Sequence, residues 1–87
     1  MSSKNDKTLE NIFKKPTPSN ISWMDIEKLL VSLVAFISEG SGSRVRIKLK
    51  NERTVFHRPH PGNEIDKGAV NSVKRFLENA GARYDGI

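Results

Sequence analysis

Two histidines, His57 and His60, are the groups in this chain best suited to move protons near neutral pH. They close a strongly basic stretch. From Arg44 to His60 run Arg44, Arg46, Lys48, Lys50, Arg53 and Arg58 against the single acid Glu52, a surplus equal to the net charge of +5 of the whole chain. Proton carriers beside clustered cations suit chemistry on a phosphate ester. In RNA, a base takes the proton from a 2′-hydroxyl, that oxygen attacks the adjacent phosphate, and an acid protonates the departing 5′-oxygen. Cations stabilise the extra charge on the phosphorus oxygens. On this reading His60 is the acid or base and His57 its complement, with Arg44 and Arg46 holding phosphate. Lys48, Lys50, Arg53, Arg58 and Lys67 extend the binding set.

Each of these residues also has a plainer reading. A histidine between Pro59 and Pro61 can be a rigid loop residue bonded to backbone. His57 can sit on a solvated strand face, as can every second cation of the run. Lys67 near a helix start can be ordinary turn chemistry instead of a phosphate contact. A metal held by His57 and His60 would need further ligands, and spacing supplies none. Neither a metal nor a cofactor is expected.

The elements that must position these residues follow from pattern. Arg44, Arg46, Lys48 and Lys50 alternate with Val45, Ile47 and Leu49, so a strand over 44–49 has one basic and one apolar face. A partner strand over 53–58, joined through Asn51-Glu52, sets Ile47 opposite Phe56, Leu49 opposite Thr54, Arg46 opposite His57 and Lys48 opposite Val55. A one-residue slip would invert the faces. Ala35 to Gly40 reads as a further short strand, and residues 40–43 as a turn. Ile26, Leu29, Leu30, Leu33 and Val34 recur at helical spacing, predicting a helix over 22–34, capped by Ser22 with Asp25. Trp23 is expected on the core rim. Ala69, Val70, Val73, Phe76, Leu77 and Ala80 line a second helix that starts at Ile65 or Asp66, with Asp66 suited to a cap or first-turn position, and stops at Gly81.

The fold class is therefore α+β, in the order α-β-β-β-α: a three-stranded antiparallel sheet with two helices on one face and a basic open face. With 87 residues there is room for one domain. Residues 1–20 read as a mobile or extended tail, with Ile12 and Phe13 able to dock on the body, 21–81 as the domain and 82–87 as a frayed C-terminal tail. Hydrophobic residues make up 36% and charged ones 29%, which argues against overall disorder. Without cysteine, neither a disulfide framework nor a thiolate zinc site is possible. No apolar leader or membrane-length run is present, so a cytoplasmic location and no membrane partner are expected. The basic balance points to an anionic partner, nucleic acid first.

The order of elements, Gly42-Ser43 ahead of the second strand, Pro59-His60-Pro61, and Glu64-Ile65-Asp66-Lys67-Gly68 opening the last helix together resemble the HicA toxin family of bacterial toxin–antitoxin systems. The likeness covers roughly residues 22–81; the extension through Pro16 and Pro18 lies outside the usual short form. The resemblance implies a fold like that of a double-stranded RNA-binding domain. It also implies an endoribonuclease, or mRNA interferase, that cleaves messenger RNA, and a HicB-like antitoxin as partner. His60 matches the family's Pro-His-Pro. At the second strand the family usually carries Gly-Ser-His, with that histidine taken as catalytic, whereas here Gly42-Ser43 precedes Arg44. No catalytic histidine carries over to that position. Beside the ribonuclease stand two other readings: a non-catalytic module that recognises RNA helices by shape, and a domain whose basic face binds an acidic protein.

Overall fold

The computed structural model describes residues 4–59 and 62–82. The expected α-β-β-β-α order is present. The helix α2 (Trp23–Ser32) leads into β2 (Phe36–Glu39), β3 (Arg44–Leu49) and β4 (Glu52–His57), and α3 (Lys67–Asn79) follows. The strands form one antiparallel sheet in the order β2-β3-β4. Alternation dictates the core: Val45, Ile47 and Leu49 are 0–2% exposed, while the cations between them face solvent. Ile26 and Leu30 of α2 and Val70, Val73 and Leu77 of α3 bury against this face. Trp23 is a full core member rather than a rim residue, packing edge-on to Phe56 at 5.8 Å, and Phe56 meets Phe76 at 6.3 Å.

Three features depart from the pattern-based expectation. The first is an additional helix, α1 (Lys4–Ile12), within the segment expected to be a tail. Ile12 is 1% exposed, and Leu9 and Phe13 pack beside it, so helical spacing at the end of the segment docks it on the core. Lys4 reaches Asp25 at 3.4 Å, and the Lys74 ammonium lies 5.9 Å from the Phe13 ring. The chain then runs along α3, where the Thr17 hydroxyl donates to Asn71 Oδ1 at 3.2 Å.

The second is a pair of two-residue strands, β1 (Ile21–Ser22) and β5 (Glu64–Ile65), which join antiparallel and bring the starts of α2 and α3 together. Ser22 does precede α2, but its hydroxyl makes no capping bond. It accepts instead from Asn63 Nδ2 at 2.6 Å, while the Trp23 amide donates to the Asn63 carbonyl at 2.7 Å. Asp66 caps α3 as expected, accepting from the Ala69 amide at 2.8 Å.

The third is the hairpin register. The turn is Lys50-Asn51, not Asn51-Glu52, and the pairs are Arg44↔His57, Val45↔Phe56, Arg46↔Val55, Ile47↔Thr54, Lys48↔Arg53 and Leu49↔Glu52. Lys50 takes a positive φ of 56° to close it. The displacement is two residues, so every side chain within the paired strands keeps its expected face while its partner changes, and only Lys50, drawn into the turn, leaves its own.

Both long helices end in the same motif. After α3, the Gly81 amide donates to the Glu78 carbonyl and that of Ala82 to Leu77, with Gly81 at φ 80°. Ala82, expected in the C-terminal tail, thereby packs on the core. The remainder of that tail, 83–87, lies outside the described residues. After α2, the Val34 amide donates to Val31 and that of Ala35 to Leu30, with Val34 at φ 67°. This left-handed position favours glycine, and a β-branched residue there is strained.

Candidate nucleic-acid interface

The open sheet face is a three-by-three arrangement set by register. Its first row across the strands is Phe36, Lys48 and Arg53; its second is Ser38, Arg46 and Val55. Its third is Gly40, Arg44 and His57, tied by the Gly40 amide donating to the Arg44 carbonyl. Rows are about 6.7 Å apart and strands about 4.8 Å. The whole central column is cationic, and none of the nine positions holds a carboxylate. Like charges on one strand repel, a cost that an anionic ligand would relieve.

His57 stands directly across from Arg44, not from Arg46 as the sequence pattern suggests. The Arg58 amide donates to the Ser43 carbonyl at 2.9 Å, making Ser43 and Arg58 a hydrogen-bonded pair. Arg44 and His57 are therefore a non-hydrogen-bonded pair, the kind in which side chains approach most closely, with Cα atoms about 4.5 Å apart. Both are exposed. His60, the other expected proton carrier, lies outside the described residues, as does Pro61.

Of the remaining expected cations, Arg46, Lys48 and Arg53 share the open face. Lys50 does not. The positive-φ turn swings its ammonium to the helix layer, 3.8 Å from where a Cβ on Gly81 would stand. A cation is favourable there, at the C-terminal end of α3. Arg58 is also elsewhere. It lies two residues beyond Phe56, on the core-side parity, and clasps two carboxylates. Its Nε bonds Glu27 Oε2 at 3.2 Å, its Nη2 reaches Glu27 Oε1 at 3.5 Å, and Nη2 lies 3.4 Å from Glu39 Oε2. The bond to Glu27 is the main cause that pushes the guanidinium pKa above its ordinary value, with both nearby negative charges adding to it. Arg58 is thus a tie between β4, α2 and β2. Lys67 opens α3 in the helix layer and is exposed.

Charge counting alone missed Phe36 and Val55. Both sit on the basic face, 75% and 49% exposed, over a shallow hollow of about 340 Å³. The signal was available: Phe36 precedes Ile37, which faces the core, so Phe36 had to face outward. Among the described residues no three His, Asp or Glu side chains gather to hold a metal ion. No helix among them is long and apolar enough to cross a membrane.

Comparison with known proteins bears on this face. No curated protein and no solved structure matches the chain. A family model described as the HicA toxin of bacterial toxin–antitoxin systems matches residues 23–82, the span from the start of α2 to just past α3. The match takes in the whole three-stranded sheet with its two covering helices and leaves out α1, and over that span the chain belongs to the HicA toxin family, the toxin side of a toxin–antitoxin pair.

Proposed function

We propose that this toxin acts on RNA through the open sheet face and blocks translation by cleaving messenger RNA without a metal. The observation that carries the proposal is the cationic column Arg44, Arg46 and Lys48 on a face without a carboxylate, with His57 directly across from Arg44. A guanidinium holds a phosphate by two parallel hydrogen bonds and stays charged through the reaction, so Arg44 suits the phosphate and not the proton. His57 and His60 supply the proton transfers. One removes the 2′-hydroxyl proton, the 2′-oxygen bonds to phosphorus, and the bond to the 5′-oxygen breaks as the other histidine protonates it. The products are a 2′,3′-cyclic phosphate and a free 5′-hydroxyl. A HicB-like antitoxin, acting in the cytoplasm with the toxin, holds it inactive.

The test is incubation of purified protein with RNA in chelator. Cleavage that His60→Ala or His57→Ala abolishes supports the assignment; cleavage that survives both substitutions removes it. One observation favours a second reading. By the resemblance drawn from Gly42-Ser43, Arg44 stands where the family usually carries a histidine, and an arginine there suits an RNA-binding module that holds without cutting. Binding without cleavage in the same assay would select that reading.

A further inference from the structure

The cations of the open face account for attraction to any nucleic acid, but they leave its most exposed aromatic unexplained. Phe36 is the central candidate. It is 75% exposed on an edge strand, yet the sheet's other face buries every large apolar residue that β3 supplies. It stands beside Lys48 across the strand pair, and Arg53 completes its row. In the next row, Val55 stands beside Arg46 and is half-exposed. Each apolar side chain is therefore adjacent to a cation on the central strand, across a surface about 10 Å from β2 to β4.

We infer that this face is a stacking platform for single-stranded RNA, with one base on the Phe36 ring, the next against Val55, and the backbone following Arg44, Arg46 and Lys48. The inference rests on the RNA reading above and narrows it to a substrate class. A duplex keeps its base faces inside the helix and shows proteins only phosphates, 2′-hydroxyls and groove edges. An exposed phenyl ring gains nothing from those groups. A single strand presents base faces, and every base has one, so an aromatic ring flanked by cations binds it with little regard to sequence. The half-exposed Val55 gives a neighbouring base an apolar surface without a second ring. The absence of carboxylates from the nine positions suits a polyanion and removes the repulsion an acidic side chain would add.

The experiment is fluorescence anisotropy with a labelled oligouridine whose 2′-hydroxyls are methylated, so that binding is read without cleavage, alongside an RNA duplex of similar length. Phe36→Ala should weaken the single strand roughly tenfold, leave the salt dependence unchanged, and leave duplex binding unaltered. Phe36→Tyr should retain the affinity. Because Phe36 is exposed, its removal should not lower the thermal midpoint, which is checked on the same samples. Val31→Ala, an exposed apolar residue on α2, should change nothing. Unchanged single-strand affinity in Phe36→Ala, or equal affinity of the native protein for duplex, overturns the platform while leaving RNA as the ligand. If no RNA binds the native protein even at low salt, the RNA reading itself fails. Loss of antitoxin binding in Phe36→Ala with RNA affinity intact assigns the ring to the protein partner and overturns the platform.

Discussion

The two faces of the sheet share their backbone and differ in almost everything else. On β3, Val45, Ile47 and Leu49 are nearly inaccessible, and the three cations that alternate with them, Arg44, Arg46 and Lys48, are exposed. One face is closed by α2 and α3 and carries the stability of the domain. The other carries charge that no neighbouring carboxylate on that face balances, together with one phenyl ring and a half-exposed valine. Stability and ligand binding are thus separated by a period of two in the sequence. Substitutions one position apart should have unlike consequences.

The most damaging substitution breaks the closed face. Ile47→Ala removes a side chain that is 2% exposed and should cost about 2–5 kcal/mol, measured by chemical denaturation. A loss below 1 kcal/mol would mean that the helices do not pack there as described. A smaller change of opposite sign is expected at Val34. Substitution by glycine relieves a β-branched residue at φ 67° and should stabilise by about 1 kcal/mol. Arg58→Ala comes next. It loosens the clasp to Glu27 and Glu39 and should lower the denaturation midpoint slightly, without changing the salt dependence of RNA binding. A change in that dependence would return Arg58 to the ligand face. Smallest in stability is Lys48→Ala, expected within about 0.5 kcal/mol of the native protein. Its effect belongs to binding, where it should reduce the salt slope for a single strand by about 0.7.

The closed face was legible in the sequence because burial obeys periodicity. The β3 alternation, the apolar stripe of α2 as far as Leu33, that of α3, and the Asp66 cap all follow from residue type and spacing, whereas Val34, read as the end of the α2 stripe, lies past the helix and is exposed. Pairing within the hairpin was not legible. Nothing in the residue types marks Lys50 for a left-handed conformation, and Asn51-Glu52 made an equally plausible turn. Since the displacement was two residues, the face assignments survived while His57 gained Arg44 as its neighbour in place of Arg46. Lys50 was misread for the same reason, as the turn redirects its side chain. Arg58 was misread because counting charge ignores parity: two residues beyond the buried Phe56 it had to fall on the helix side. Helix α1 shows only Leu9, Ile12 and Phe13 at its end as a periodic signal, and its place comes from docking Ile12 on a core assembled by distant segments. The candidate site was therefore half legible. Its cations and His57 could be found by type, whereas Phe36 emerges only when the faces are assigned.

The proposed function requires above all that the β3 column of the open face hold RNA phosphates. The most direct test is the salt dependence of single-strand affinity for the native protein and for the triple variant Arg44→Ala, Arg46→Ala, Lys48→Ala. The triple variant should remain folded while its slope falls by about 2, close to 0.7 for each phosphate that is no longer neutralised. A folded triple variant with the native affinity and slope would contradict the assignment of RNA to this face.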